Sequence, residues 1–504
     1  MRPRHAAQLI LASLLFGAGL TAQTPTKVPK IWDDVSLAEW ATPIAALGLR
    51  PEHFTAAEYY SVPADNLRTY PVYRPDREPG GYWAELQKKK PEPLVDASKI
   101  RTNADWIEAG ARAFRELDNP LSRTDDPALI AMARDPKAFE AMAGLADGTM
   151  LLPRWVVTDR GVMLTNLECA SCHARPTAAR TIQYGGPDTP RPEGTGAIRL
   201  TAVANRLAAL DLQRRFPGEG ARMARWRMWT VPWAPDNEQL STRFRNLDAQ
   251  QMRSALINPH GVVPRANGSV FYGTRVPDLH LLRYNRYVDA TGTHRQRDAE
   301  DVGRYAAFIN GADPMDFATH RILTDDQRRL KYRFADEVLY AIGVYLLSLE
   351  PAKNPAPPPP DLVKRGEQIF KREQCAACHP PPDYTTGELT PAQGFAPALD
   401  HPNRRDIRNQ SVGTDPGLAL NTRKGTGLYK IPSLRGLWYR PRLLHDASIS
   451  NLEELFDAAR LRADYERKGW SPPGATTGAV PGLEFLVKLS PEDKSALIAF
   501  LRSL

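Results

Sequence analysis

The chain has 504 residues, 45 of them proline, a length that calls for two or more domains and a proline content that calls for many irregular segments. Its 66 Lys and Arg are spread among 58 Asp and Glu along the whole length, so the formal charge of +8 reads as a solvated basic surface or as one that steers an acidic redox partner. All four cysteines fall in two short motifs, which leaves none for a structural disulfide or a nucleophilic thiol.

Met1-Arg-Pro-Arg-His precedes an apolar run from Leu9 to Leu20 and then Thr21-Ala22. A basic start, a short apolar core and a small-residue end read as a secretory signal peptide over residues 1–22. The run is too short to span a bilayer and no later stretch approaches that length. No stable membrane span is expected, and the location read from the leader is periplasmic or secreted. Residues 23–95 are poorly periodic and hold Trp32, Trp40, Tyr59, Tyr60, Tyr70 and Tyr73 among many prolines. They read as an N-terminal extension that wraps the body.

From Asn103 to Leu117 a helix is predicted, because Trp106, Ala109, Gly110, Ala113, Phe114 and Leu117 recur at steps of three and four. Asn119-Pro120 ends it. Leu151–Leu167 reads as a short strand and turn. Cys169-Ala170-Ser171-Cys172-His173 follows. It is C-x-x-C-H, the attachment signature of a c-type haem. Two thiols that add to the two vinyl groups of one porphyrin must sit a short, fixed distance apart, and the adjacent histidine then lies under the iron.

After His173 the chain is rich in Gly, Pro and Thr to Pro192, and Arg199–Phe216 reads as a helix. Trp226, Trp229 and Trp233 cluster next, either as core packing or as aromatics that face a redox centre. Helices are predicted over 297–310 and 326–349, and Pro351 stops the second. Pro355-Ala-Pro-Pro-Pro-Pro360 is stiff. Residues 96–350 therefore read as one domain, 351–360 as a linker and 361–504 as a second domain.

The second domain repeats the plan. Asp361 can cap a helix that carries Leu362, Gly366, Ile369 and Phe370, and Cys375-Ala376-Ala377-Cys378-His379 follows at once. Ser490-Pro491 opens a last helix. Its ending, Ala496-Leu-Ile-Ala-Phe-Leu-Arg-Ser-Leu504, echoes Ala341-Ile-Gly-Val-Tyr-Leu-Leu-Ser-Leu349. Each half reads as first helix, attachment motif, loops and last helix, a tandem duplication. A dithiol pair does not need the histidine, and a zinc site would join halves about 200 residues apart instead of the roughly 15–20 of zinc ribbons. Two covalent c-type haems are expected, with Cys169 and Cys172 holding one and Cys375 and Cys378 the other.

The pattern resembles the cytochrome c fold, twice: a mainly α protein with two cytochrome c-like domains in tandem, the N-terminal one enlarged by long irregular insertions. Ile431-Pro-Ser-Leu-Arg-Gly-Leu-Trp-Tyr439, His445-Asp-Ala-Ser448 and Leu452-Glu-Glu-Leu-Phe456 look like the di-haem cytochrome c peroxidase superfamily, and the Leu-Trp-Tyr-Arg wording is similar to its large rubber-oxygenase-like branch. The resemblance implies His173 and His379 as proximal iron ligands. It also implies an exported redox enzyme of the peroxidase or oxygenase type, with one reactive haem and one electron-relay haem. The partners implied are a redox protein or small-molecule donor and peroxide, dioxygen or an organic substrate; no nucleic acid is expected. The alternative is a pure electron-transfer di-haem cytochrome.

Departures from the superfamily bear on the sixth ligands. The next histidine after His173 is His260, position 447 is Ala in place of Gly, and Gly482-Leu483-Glu484-Phe485 stands where large relatives carry Gly-His. No methionine follows Met315, which excludes His/Met ligation of the second haem from its own domain. His401, His445, a tyrosine or water are left for that position. For the first haem His260, His280, His294, His320, Met223, Met228 and Met252 are available. The reactive haem is expected at His173, in the enlarged domain.

Overall fold

The structure is a computed structural model. It describes residues 27–138, 145–177, 181–186, short stretches between 203 and 263, and 271–504 apart from 318, 319 and 322. Residues 1–22, read above as a signal peptide, most of Arg199–Phe216, Trp226, Trp229, His260, Met223, Met228 and Met252 lie outside the described residues.

The five longest described helices form the framework. Helix α1 (Asn103–Glu116) opens on a capping box in which Thr102 Oγ1 accepts the Asp105 N–H and Asp105 accepts the Thr102 N–H. Helix α2 (Ala299–Ile309) is capped by Asp298, and α3 (Asp336–Ser348) ends ahead of Pro351. Helix α4 (Pro360–Arg372) begins one residue before Asp361, which sits in its first turn. Helix α5 (Pro491–Ser503) has the expected Ser490 cap, which accepts from the Asp493 N–H.

These helices cross at glycines. A Cβ on Gly110 would overlap the Ala341 carbonyl, where α1 meets α3, and a Cβ on Gly366 would overlap the Ala496 carbonyl, where α4 meets α5. One turn on from each crossing, Phe114 packs on Tyr345 with ring centres 5.7 Å apart, and Phe370 packs on Phe500 at 5.2 Å. The echoed endings thus mark the same crossing made twice. Helix α2 adds a further crossing on α3, where Gly343 lies against the Ala299 carbonyl.

Strand is more prominent than the mainly helical expectation allowed. Strands β1 (Thr69–Tyr73), β2 (Thr149–Thr158) and β3 (Gly161–Thr165) form an antiparallel sheet in that order, with Tyr70 opposite Trp155 and Trp155 opposite Leu164. The turn expected over Leu151–Leu167 is therefore a full hairpin completed by a strand from the extension. Trp155 and Val157 alternate onto one face and bury against Tyr70, Val72 and Leu86. The helix expected over 326–349 is shorter at its start. Asp325–Arg328 makes one capped turn, and Arg333–Phe334 leaves helical geometry to pair in parallel with Ala64–Asp65.

Trp32, Trp40 and Tyr59 of the extension are fully buried against Trp106, Phe114 and Ile342. A second core joins Ile369 and Phe370 to Leu452, Phe456, Leu497 and Phe500. Residues ahead of α2 pack into the C-terminal half. Tyr287 is buried with Leu389, Ile407 and Leu428, and the Lys430 N–H donates to the Ala290 carbonyl at 2.8 Å. No helix among the described residues is long and apolar enough to cross a membrane.

Candidate functional site

Both attachment motifs fold into the same small unit. Cys169–Ser171 is a single 3-10 turn, and the N–H groups of Cys172 and His173 both donate to the Cys169 carbonyl, at 3.2 and 3.1 Å. Cys375–Ala377 is likewise a 3-10 turn, and the N–H groups of Cys378 and His379 donate to the Cys375 carbonyl at 3.2 and 2.9 Å. This bonding puts the second cysteine and the histidine of each motif one tight turn from the first cysteine. All four thiols are half-buried.

The turns are held from both sides. At the first, the Glu168 N–H donates to the Leu117 carbonyl at the end of α1 at 2.9 Å. Ala170 and Ala174 bury with Leu167, backed by Leu151, Leu152 and Tyr184. A hairpin of β4 (Ala174–Pro176) and β5 (Ile182–Tyr184) leaves the motif, and the Gly185 N–H returns to the His173 carbonyl at 2.8 Å. Gly185 has φ +87°, and a Cβ there would stand 3.2 Å from His280 Cε1, so only glycine fits this approach.

At the second motif the histidine itself is fixed. His379 Nδ1 lies 3.0 Å from the Tyr384 carbonyl. A carbonyl only accepts, so Nδ1 carries the hydrogen and Nε2 keeps its lone pair for a metal. Burial lowers the His379 imidazole to about 4, which keeps it neutral at physiological pH. Burial pushes the Cys375 thiol up to about 11, the reverse of a reactive dithiol. Among the described residues no group of three or more His, Cys, Asp or Glu comes together to hold a metal ion, so the four cysteines do not assemble into one cluster.

The other histidines are placed as follows. His280 lies against Gly185, with Nδ1 2.8 Å from Asp278 Oδ1. His294 is buried with Nε2 3.3 Å from His53 Nε2, and burial pushes both imidazoles down. His320 stands at the ring of Trp233. The Asn403 N–H donates to His401 Nδ1 at 3.1 Å. His445 stacks on Tyr429 with ring centres 4.4 Å apart and Nε2 3.2 Å from the Tyr429 hydroxyl.

Polar residues that the sequence does not flag join the surroundings of the two motifs. The Tyr439 hydroxyl donates to Asp278 Oδ2 at 2.7 Å, so a residue of the C-terminal half meets the carboxylate that holds His280. Burial opposes ionisation of Asp278, yet the hydrogen bond and charge of His280, with Arg440 and Tyr439, hold its carboxyl below the usual range. Arg154 of β2, and Arg435 and Arg440 beyond the second motif, each have a buried Nε with no hydrogen-bond partner. Orphaned cationic donors fit a prosthetic group that brings its own carboxylates, as a haem does with its propionates. Arg154 lies in no motif, and Arg435 lies in the Ile431–Tyr439 run without being marked as a site residue. Their role comes from burial, and Arg440 stands directly after the Leu-Trp-Tyr wording used for the resemblance.

No protein-family model and no curated protein matches the chain. Among solved structures, hydrazine synthase of Kuenenia stuttgartiensis is similar over 57% of this chain and 88% of that one, at 14% identity and a TM-score of 0.28. A variant of the diheme peroxidase BthA from Burkholderia thailandensis is similar over 46% of this chain and 71% of that one, at 17% identity and a TM-score of 0.24. Both scores lie below the level at which two chains share a fold.

Proposed function

We propose that this chain is an exported di-haem c-type cytochrome that acts as a redox enzyme of the peroxidase or oxygenase type. One haem is held by Cys169 and Cys172 over His173, and the other by Cys375 and Cys378 over His379. The observation that carries this reading is the C-x-x-C-H turn made twice, with His379 locked by the Tyr384 carbonyl so that Nε2 is the free nitrogen. When bound, such a haem supplies a one-electron couple and, where the sixth iron position is free, a place for peroxide or dioxygen.

The residues of the chain do the rest. The α1–α3 and α4–α5 crossings each back one attachment turn and make two cytochrome c-like domains, 96–350 and 361–504. The first domain is the enlarged one and has no histidine between His173 and His260 to close the iron, so the reactive site is assigned to it. The Gly185 N–H holds the His173 backbone carbonyl there, and His280 with Asp278 sets a polar edge beside that loop. The second site keeps its histidine neutral and fixed, as suits relay of electrons from an exogenous donor.

The test is intact mass and acid-acetone extraction of the exported protein. Two haems are expected to resist extraction. Replacing Cys169 and Cys172 should remove one, and replacing Cys375 and Cys378 the other. Zinc in place of iron would end the reading. High-spin bands in the resting spectrum, lost in His173→Ala and kept in His379→Ala, would place the reactive site in the first domain. Two low-spin centres would favour the pure electron carrier.

A further inference from the structure

Beside the C-terminal motif stand a buried arginine, Arg440, and a half-buried one, Arg275, and neither makes an ion pair among the described residues. Arg440 is 7% exposed. One terminal nitrogen donates to the carbonyls of Ser433, at 2.7 Å, and Arg435, while its Nε has no partner. Arg275 donates through one terminal nitrogen to the Arg442 carbonyl at 3.4 Å, and its backbone N–H donates to the His445 carbonyl. Neither guanidinium pairs with a carboxylate among the described residues. Asp278 acts on both from a distance, and its oxygens are already taken, Oδ1 by His280 and Oδ2 by Tyr439; Asp446 acts on Arg275 without an ion pair.

Two like charges withdrawn from water and left unpaired are costly. Burial lowers the Arg440 guanidinium to about 10, and the Arg275 charge adds to that. A guanidinium keeps its proton in a protein, so both arginines carry their charge, and neither has a carboxylate in contact among the described residues.

Geometry says where the anion comes from. Arg440 holds the Ser433 carbonyl, and the Ser433 hydroxyl donates to the Asp383 backbone carbonyl at 2.6 Å. The next residue, Leu434, donates its N–H to the Tyr384 carbonyl, the one that also accepts from His379. The arginine is therefore one loop away from the proximal histidine. A porphyrin attached at Cys375 and Cys378 would carry two carboxylates of its own, the anions this loop lacks.

We propose that Arg440 and Arg275 together receive a propionate of the C-terminal haem, which rests on the haem assignment above. Arg440 offers its free Nε edge, and guanidinium is the side chain whose fork matches a carboxylate. A seated cation pair favours the reduced, less positive haem. These arginines thereby set the C-terminal couple above the value it would have with the charge removed.

The test is spectroelectrochemical titration of the full-length exported protein. The C-terminal couple is identified as the one missing from the Cys375→Ala/Cys378→Ala variant. Arg440→Met is expected to keep two covalent haems and to leave the first couple unmoved. It should shift the C-terminal reduction equilibrium about tenfold toward the oxidised form, about 59 mV for one electron. Arg440→Lys should recover part of the shift. Arg275→Met should move the same couple in the same direction, and it decides the matter if Arg440→Met fails to fold, because its side chain holds only the Arg442 carbonyl. An unmoved C-terminal couple in Arg275→Met and in every folded Arg440 variant, with both haems attached, overturns the propionate seat and leaves the haem assignment intact. A wild-type protein with no haem at Cys375 and Cys378 overturns both.

Discussion

The two halves build one clamp by two routes. In the C-terminal half Cys375 follows α4 almost at once, and the attachment turn sits on the end of the helix that crosses α5. In the N-terminal half the chain leaves α1, runs out through β2 and β3, and only then makes the turn at Cys169. The crossing and the turn are the same in both. What the difference teaches is that the clamp tolerates a long interruption if the ends of the interruption are tied together. Here they are tied at Leu117–Glu168, at Asn119–Asn166 and at the Thr124–Leu164 bridge.

The tie has a charged knot, and breaking it should separate the two halves most sharply. Arg123 donates to both Asp118 oxygens, at 2.7 and 2.8 Å, and to both Asp65 oxygens at the same distances. Asp118 is fully buried and also accepts from Thr165 at 2.9 Å. Arg123→Ala leaves that carboxylate without its counter-ion, a loss of about 3–5 kcal/mol. The expected result is a lower first unfolding transition in calorimetry and reduced haem at Cys169 and Cys172, with haem at Cys375 and Cys378 unchanged. Equal loss at both motifs would mean that the knot supports the whole molecule rather than the interruption.

The glycine crossings should respond alike, which checks that they are one device used twice. On an open helix Gly→Ala gains about 1 kcal/mol. At Gly110 and Gly366 the added Cβ meets a backbone carbonyl that cannot turn aside, and overpacking of this kind costs about 1–3 kcal/mol. Gly110→Ala and Gly366→Ala are each expected to destabilise by about 2 kcal/mol in urea titration. Gain of stability in either one would show that its helices can slide apart, and the likeness of the two crossings would then be superficial.

A smaller effect is expected where the halves touch. Tyr439→Phe removes the hydroxyl that Asp278 Oδ2 accepts and leaves that oxygen buried, a loss of about 1–2 kcal/mol. Asp278→Asn should cost more, because that carboxylate also holds His280, and the double variant should cost less than the two single losses added. Full additivity in the double variant would show that Tyr439 and Asp278 act independently.

How much of this was legible in the sequence depends on how local each feature is. The C-x-x-C-H turns, the Ser490 cap and the Gly110 and Gly366 stripes are set by neighbours within a turn or two, and the residue pattern carries them. The sheet was not legible, because β2 is completed by β1 from the extension, and no local period announces a partner so far away. The same reason explains the early end of helical geometry at Arg333–Phe334, whose backbone is claimed by Ala64–Asp65. Arg440, Arg275 and Asp278 escaped for a different reason. A buried arginine and an exposed one read the same in sequence, and only three-dimensional burial makes an unpaired donor conspicuous.

The smallest effect should come from cutting the linker, although the sequence marks it as the clearest boundary. Residues 355–357 are exposed, and two side-chain bonds tie their neighbours to the C-terminal half, Trp438 Nε1 to the Ala352 carbonyl at 3.0 Å and Asn354 to the Arg502 carbonyl at 2.9 Å. The seam elsewhere is broader. Tyr287 donates to Asp406 at 2.7 Å and is buried under Leu389 and Leu428. Arg286 pairs with Asp406 at 3.0 Å, and Lys424 of the C-terminal half pairs with Asp289. Burial of one large aromatic alone is worth about 1.5–3 kcal/mol, whereas exposed chain contributes within about 0.5 kcal/mol. A protease site inserted between Ala356 and Pro357 and then cut is therefore expected to leave the two parts together in gel filtration, with both haems and a nearly unchanged melting point. Separation of the parts on a native column would show that the linker, rather than the seam at Tyr287, holds the second clamp against the first.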